Sequence, residues 1–268
     1  MKRTFYIGLF IAAFFMVACL KVPITGRRQL NLLPESTMLS LSLSNYRSFL
    51  AKSPPLPDSD ANVQLVRKVG NKLVLAINAF LKEKRQTNRV KDFKWEFNVV
   101  SDKTVNAWCM PGGKVVVYTG LLPVTLDEEG LAVVMGHEIA HAIARHGNER
   151  MSQQLAIQLG GIGLAVAMSQ KPQEVQNIFL ASYGVGSTLG ALKYSRVHET
   201  EADKMGVVFM ALAGYDPNKS IAFWERMKQA TGGAKVPEII STHPSDETRI
   251  KDLKAFMPTA LKYYKKPS

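Results

Sequence analysis

Two histidines four residues apart, with a glutamate beside the first, carry the clearest chemical signal in this chain: His137, Glu138 and His141. On a helix four residues advance about 400°, so the two imidazoles lie about 40° apart on one face, one turn apart in height. Both can then reach a single cation. Zinc accepts nitrogen and oxygen ligands in a tetrahedron, and a catalytic zinc has three protein ligands and one open position. Glu138 projects beside that position, where it can take a proton from an attacking water and return it to a leaving amine. This is the H-E-x-x-H pattern of zinc metalloproteases. The chain has only five histidines, so chance seldom produces it.

The third ligand must come from elsewhere. A third histidine ten residues after His137 would fall at Gly147, and His146 is one residue off and on the wrong face. The best source is Glu199-Thr200-Glu201-Ala202-Asp203. Glu199 and Asp203 are four apart and share a helical face. One can bind zinc while the other accepts the free N–H of a ligand histidine. Glu201 points away, toward solvent, and His198 is a competing ligand.

Several elements must hold these groups. Thr125 and Glu128 are spaced as a capping box for a helix running to His146 and stopping at Gly147. Earlier, Ser36 or Thr37 caps a helix to about Ala51, and Ser53 to Pro57 breaks it. Asp58 to about Glu83 is a second helix, with Val63, Val66, Val69, Leu73, Leu75, Ile77 and Leu81 near a 3.6-residue period. Phe93 to Val100 alternates as a strand, Ala107 and Trp108 precede a turn at Pro111 to Gly113, and Lys114 to Tyr118 is a valine-rich strand. Two helices fall in 151–192, where the apolar run Leu155 to Met168 is packed core, too short for a membrane span. Another helix covers Leu192 to Ala213, and Pro217 starts the next. Thr242-His243-Pro244 is a loop before a short final helix. The sum is an α+β fold, mostly helical, with a three- to four-stranded sheet beside the active-site helix.

The 268 residues suit one domain, or one domain with a helical extension, and 46% apolar with 21% charged residues is ordinary globular composition. The net charge of +12 favours anionic partners, but no basic block is dense enough for nucleic acid. Two cysteines exclude a disulfide-rich scaffold. Lys2 and Arg3 precede an uncharged apolar run from Phe5 to Ala18, which suits a secretory signal peptide. Met16-Val17-Ala18-Cys19 resembles a bacterial lipobox, so Cys19 is the expected lipidation site. The expected organisation is a signal peptide at 1–18, a lipidated tether at 19–35, and one domain from 36 to 268.

The pairing of H-E-I-A-H with a distant E-T-E-A-D resembles the M48 family of metallopeptidases, gluzincins that include the CaaX prenyl endopeptidases and the HtpX-type membrane proteases. The likeness covers most of residues 30–256. Val22 to Asn31, Asn106 to Gly113, Tyr118 to Leu122 and Thr242-His243-Pro244 are similar to that family's exported lipoprotein branch. The resemblance implies one zinc per chain, bound by His137, His141 and Glu199. It makes Glu138 the general base and has Asp203 orient His137. Asn106 and Ala107 fall where such enzymes hold substrate backbone against an edge strand. His243 falls near zinc, either as an oxyanion donor or as a fourth ligand that silences the resting enzyme. Arg249 pairs with an acidic residue near the site, and Cys109 is a small buried hydrophobe. The expected function is a zinc endopeptidase facing the periplasm on a lipid anchor. Its expected partners are misfolded or unassembled envelope proteins and the envelope assembly machinery. Leu20, in place of a retention aspartate, favours the outer membrane. The rival is a non-cleaving chaperone with a structural zinc.

Overall fold

The computed structural model describes residues 19–159, 172–183, 195–230, 239, 243 and 247–264. The expected signal peptide, most of the 155–168 run, and Thr242 and Pro244 lie outside the described residues.

The chain opens with an antiparallel hairpin of β1 (Cys19–Lys21) and β2 (Arg28–Leu30). This part of the expected tether is folded onto the domain. Gly26 takes φ 71° at the turn, and Val22 is buried in the main core. Helix α1 (Glu35–Lys52) starts directly after Pro34, so neither Ser36 nor Thr37 caps it. Helix α2 (Ala61–Glu83) is capped by Asp60, whose side chain accepts from the Asn62 N–H at 2.7 Å. Its stripe Val63, Val66, Val69, Leu73, Ile77 and Leu81 is buried, as the period requires. Leu75, read from the sequence as part of that stripe, is 74% exposed.

Three strands form the sheet: β3 (Glu96–Val100), β4 (Ala107–Met110) and β5 (Lys114–Tyr118), in the order β3-β5-β4. β3 runs parallel to β5, and β4 antiparallel to it. Regular pairing begins at Glu96, later than the alternation from Phe93 suggests. Ala107 and Trp108 do not merely lead into a turn; they belong to edge strand β4. Gly112 and Gly113 close the β4–β5 hairpin with φ of 83° and 79°, a region that disfavours other residues.

After the short helix α3 (Leu122–Thr125) comes the central helix α4 (Glu128–Ala144), buried throughout from Gly130 to Ala144. Its cap is Asp127, whose carboxylate accepts from Gly130 N–H at 2.7 Å; the expected Thr125 cap instead turns its hydroxyl to Leu122 O. Nor does α4 run on to Gly147. It stops at Ala144, Arg145 takes a left-handed φ of 61°, and α5 (His146–Leu159) starts at the next residue. At this bend Arg89 Nη1 donates to the Ile143 carbonyl at 3.0 Å, and Gln29 Nε2 donates at 3.5 Å to the Arg145 carbonyl, which also accepts from Glu149 N–H. The remaining helices are α6 (Pro172–Tyr183), α7 (Arg196–Leu212), α8 (Lys219–Ala230) and α9 (Glu247–Ala260). Ser195 caps α7, accepting from His198 N–H, so that helix begins later than Leu192.

Helix α7 lies directly on α4, with Gly136 and Gly206 at the contact. A Cβ added to Gly206 would sit 2.9 Å from His137 N. Only glycine permits that approach, and it brings the Glu199 helix against the His137 helix. β4 flanks α4 on another side. Among the described residues, no helix is long and apolar enough to cross a membrane.

Candidate metal centre

All five histidines of the chain are buried, and they form one continuous group. One ligand atom from each of His137, His141, Glu199 and His243 lies within 4.8 Å of the others. His137 Nε2 is 3.1 Å from His141 Nε2, 3.3 Å from His243 Nδ1 and 3.5 Å from Glu199 Oε2. Glu199 Oε1 is 3.0 Å from His243 Nδ1 and 3.5 Å from His141 Nε2. The edge of a tetrahedron is 1.63 times its bond length, so zinc–nitrogen bonds of about 2.05 Å require ligand separations of about 3.3 Å. The observed separations bracket that value. The donor set, imidazoles with a carboxylate, suits zinc.

Glu138 supplies a second test of fit. It is buried, and its Oε1 has no hydrogen-bond partner. The nearest basic group is His243 Nε2 at 3.6 Å. A buried carboxylate oxygen without a donor is costly unless it faces a ligand. Burial raises the Glu138 pKa, against partial opposition from His243 and His137. That shift moves a carboxyl toward the range of a working base.

The surrounding charges are arranged to keep the ligands oriented. His137 Nδ1 lies 3.0 Å from Asp203 Oδ1. Arg249 grips Asp203 through Nε at 2.8 Å and Nη2 at 2.7 Å, and sets Nη1 3.0 Å from Glu199 Oε2. Trp224 walls this cluster, with its ring 4.2 Å from the Arg249 guanidinium and 5.5 Å from the His137 ring. Burial pushes the Glu199 carboxyl up, but His243 and Arg249 outweigh it and hold it well below the ordinary value. Burial also opposes ionisation of Asp203, and Arg249 overcomes it. His141 falls well below its usual pKa through burial and the neighbouring His137. His137 is lowered by burial but raised further by Asp203 and Glu199, to about 9.

The structure therefore brings together His137, Glu138, His141, Glu199, Asp203, His243 and Arg249. His198 stands apart from the cluster, its Nε2 2.9 Å from Glu149 Oε2. Glu201 is not solvated as expected: it is buried and bound by Arg27 and His146. His146, judged to be on the wrong face, is 2.9 Å from His141 through the two Nδ1 atoms. The bend at Arg145 breaks the helical register on which that judgement relied. Arg27 was missed altogether. A chain whose few histidines all fall near acidic residues was the available signal for this wider network.

Asn106 and Ala107 lie at the start of edge strand β4, and both are buried. Tyr118 N–H donates to Asn106 O, so residues 106 and 108 turn their main chain toward β5, while 105, 107 and 109 turn theirs outward. On that outer edge Ile239 N–H donates to Val105 O, and the Asn106 side chain accepts from Ala107 N–H at 2.9 Å. Cys109 is buried and its thiol is pushed up by burial, which leaves it an apolar filler. The side chain of Cys19 lies outside the described residues.

A helix that presents two histidines and a glutamate to a carboxylate on a crossing helix defines the metallopeptidase class of the gluzincin type. The chain belongs to peptidase family M48, whose description matches residues 72–257. It is 34% identical over 247 residues to the mitochondrial metalloendopeptidase OMA1 of Schizosaccharomyces pombe, covering 89% of this chain and 66% of that protein. The human metalloendopeptidase OMA1, mitochondrial, is 31% identical over 265 residues, covering 95% of this chain and 49% of that protein. The β-barrel assembly-enhancing protease of Escherichia coli is 30% identical over 215 residues, covering 77% of this chain and 41% of that protein. The chain thus spans from two fifths to two thirds of the length of these relatives.

Proposed function

We propose that this chain is a zinc-dependent endopeptidase of the bacterial cell envelope that hydrolyses misfolded or unassembled envelope proteins. The observation that carries the chemistry is the unpartnered Glu138 Oε1, buried beside the convergence of His137, His141 and Glu199. These three residues would hold the metal. When bound, zinc supplies a Lewis acid that polarises the substrate carbonyl and makes water acidic near neutral pH. Glu138 accepts the proton of the attacking water and passes it to the leaving amine. Asp203 fixes the His137 ring through Nδ1, and Arg249 fixes Asp203. The outward main chain of Ala107 and Cys109 in β4 offers the ladder for an extended substrate, and Asn106, whose own main chain faces β5, holds Ala107 N–H with its side chain until substrate replaces it. Binding of that kind selects unfolded segments, because a folded protein has no free strand to offer.

His243 takes the part of a fourth ligand in the resting form. Its Nδ1 lies 3.0 Å from Glu199 Oε1 and 3.3 Å from His137 Nε2, inside the ligand cluster. A transition-state donor would stand off the cluster, aimed at the substrate oxygen.

The envelope setting rests on the pattern from Lys2 to Cys19, with lipid on Cys19 and the outer membrane favoured by Leu20. It is supported by likeness to a protease named for β-barrel assembly. The relatives named as mitochondrial match at higher identity, 34% for the Schizosaccharomyces pombe protein, and lend the envelope setting no support. The same four-ligand closure favours the rival reading, a non-cleaving chaperone with a structural zinc. Glu138 weighs against it, since a structural site needs no base. Casein cleavage by the protein and by Glu138→Gln decides between them. Loss of a base costs roughly 10²–10⁴ in rate. Equal rates from the two proteins discard the protease.

A further inference from the structure

His141 uses only one of its ring nitrogens toward the metal cluster. Nε2 faces His137 Nε2 at 3.1 Å and Glu199 Oε1 at 3.5 Å. Nδ1 turns away and meets Nδ1 of His146 at 2.9 Å. An imidazole that gives Nε2 to a metal carries its proton on Nδ1, so His141 donates and His146 accepts. The His146 proton then sits on Nε2, which lies 3.3 Å from Glu201 Oε2. Arg27 Nε donates to that same oxygen at 2.6 Å. The Arg27 fork also holds both oxygens of Glu149, at 2.8 and 2.6 Å. Glu149 in turn accepts from His198 Nε2, and the His198 ring stacks on His146 at 4.5 Å.

We propose that His146 is a positioning residue for the metal ligand His141, held in place by Glu201 and by Arg27 of the N-terminal hairpin. This inference rests on the metal centre proposed above. The two ligand histidines are supported differently. His137 meets a carboxylate directly, at Asp203. His141 reaches its carboxylate through a second imidazole. The left-handed residue Arg145 is what permits this, because it breaks the helical register between α4 and α5 and sets His146 against His141. Gln29, two residues after Arg27, donates to the Arg145 carbonyl. The hairpin therefore supports both the bend and the relay, and it completes the metal site from a segment far away in sequence. A purely space-filling residue at position 146 would be apolar; a buried imidazole is retained because both its nitrogens are used.

The test uses the full chain and three readouts: zinc affinity by competition with a chromophoric chelator, the visible absorption of the Co2+-loaded protein, and melting of the metal-free protein. In His146→Asn the amide oxygen still accepts near the original Nδ1 position; in His146→Leu nothing does. Supporting-residue loss at metal sites weakens affinity about 10–100-fold. The expected result is that loss in His146→Leu and affinity within about threefold of wild type in His146→Asn. The metal-free melting points of the two variants should match. Equal loss in both, or wild-type affinity in a folded His146→Leu, overturns the proposal. Should His146→Leu fail to fold, Arg27→Gln carries the test. It should shift the Co2+ bands and weaken zinc in the folded protein, with a lowered melting point because Glu149 and Glu201 lose their cation, and unchanged bands and affinity overturn the proposal. A wild-type protein that takes up no zinc refutes the metal centre itself, which differs from a zinc-binding wild type with indifferent variants.

Discussion

Gly136 and Gly206 touch where the His137 helix crosses the Glu199 helix, and neither position has room for a side chain. A Cβ on Gly136 would lie 3.1 Å from Gly206 O, and one on Gly206 would lie 2.9 Å from His137 N. The distance between the third ligand and the first two is set at this crossing. Gly206→Ala must push the helices apart, because the atom it meets is backbone. Overpacking of this kind costs about 1–3 kcal/mol. Thermal unfolding should show that loss, and zinc affinity should fall with it. Unchanged affinity would separate the glycine contact from the ligand geometry.

Arg249 neutralises two buried carboxylates at once, Asp203 and Glu199. Removing it leaves both charges without their cation. Breaking a buried pair costs about 3–5 kcal/mol, or roughly 6–20 °C in Tm for a domain of this size. Arg249→Leu should show that loss most clearly without metal, since a bound cation replaces part of the missing charge. Differential scanning calorimetry with and without chelator measures it. A zinc-free melting point equal to wild type would contradict the assignment.

Removing His243 tests its position in the ligand cluster. His243→Ala leaves His137, His141 and Glu199, which suffices for a catalytic zinc. Basal casein cleavage should rise several-fold, with zinc still near one per chain. A fall in rate would make His243 a donor to the transition state, and no change would reject both roles.

Acid stability should report the contact between the N-terminal hairpin and α5. The Glu149 carboxyl is opposed by burial, but hydrogen bonds from Arg27 and His198 lower it from 4.5 to about 2. Its folded-state pKa is depressed, so its stabilisation is full above about pH 4.5 and is lost as pH falls toward 2. Arg27 is partly exposed to solvent, so the effect is modest. Glu149→Gln should flatten the slope of Tm against pH across that window. An equally steep slope in the variant would assign the acid loss to other groups.

Much of the site follows from short-range geometry. The period of the helix alone places His137, Glu138 and His141 around one point, and puts Glu199 and Asp203 on one face. The valine-rich run from Lys114 to Tyr118 marks a strand in the same local way. The failures cluster where the helical register breaks or where charge is buried against distant partners. Thr125 and Glu128 satisfied a spacing rule, yet Asp127 is nearer the first free N–H groups and took the cap. Leu75 fitted the apolar period of α2 loosely and faces solvent. Pro23, Gly26, Arg27, Arg28 and Pro34 suggest an extended tether, whereas the carboxylates that hold Arg27, Glu149 and Glu201, lie far along the chain.

The local sequence determined which residue types could bind a cation and act as a base, since those depend on spacings within one or two helical turns. Only the tertiary structure decided which other charges are buried with them. Glu201, His146 and Arg27 look like ordinary polar surface residues in isolation. Glu201 and His146 become interior groups, and Arg27 a half-buried one, because a partner of opposite charge or matching hydrogen-bond sense arrives from more than fifty residues away, and no local pattern encodes that arrival.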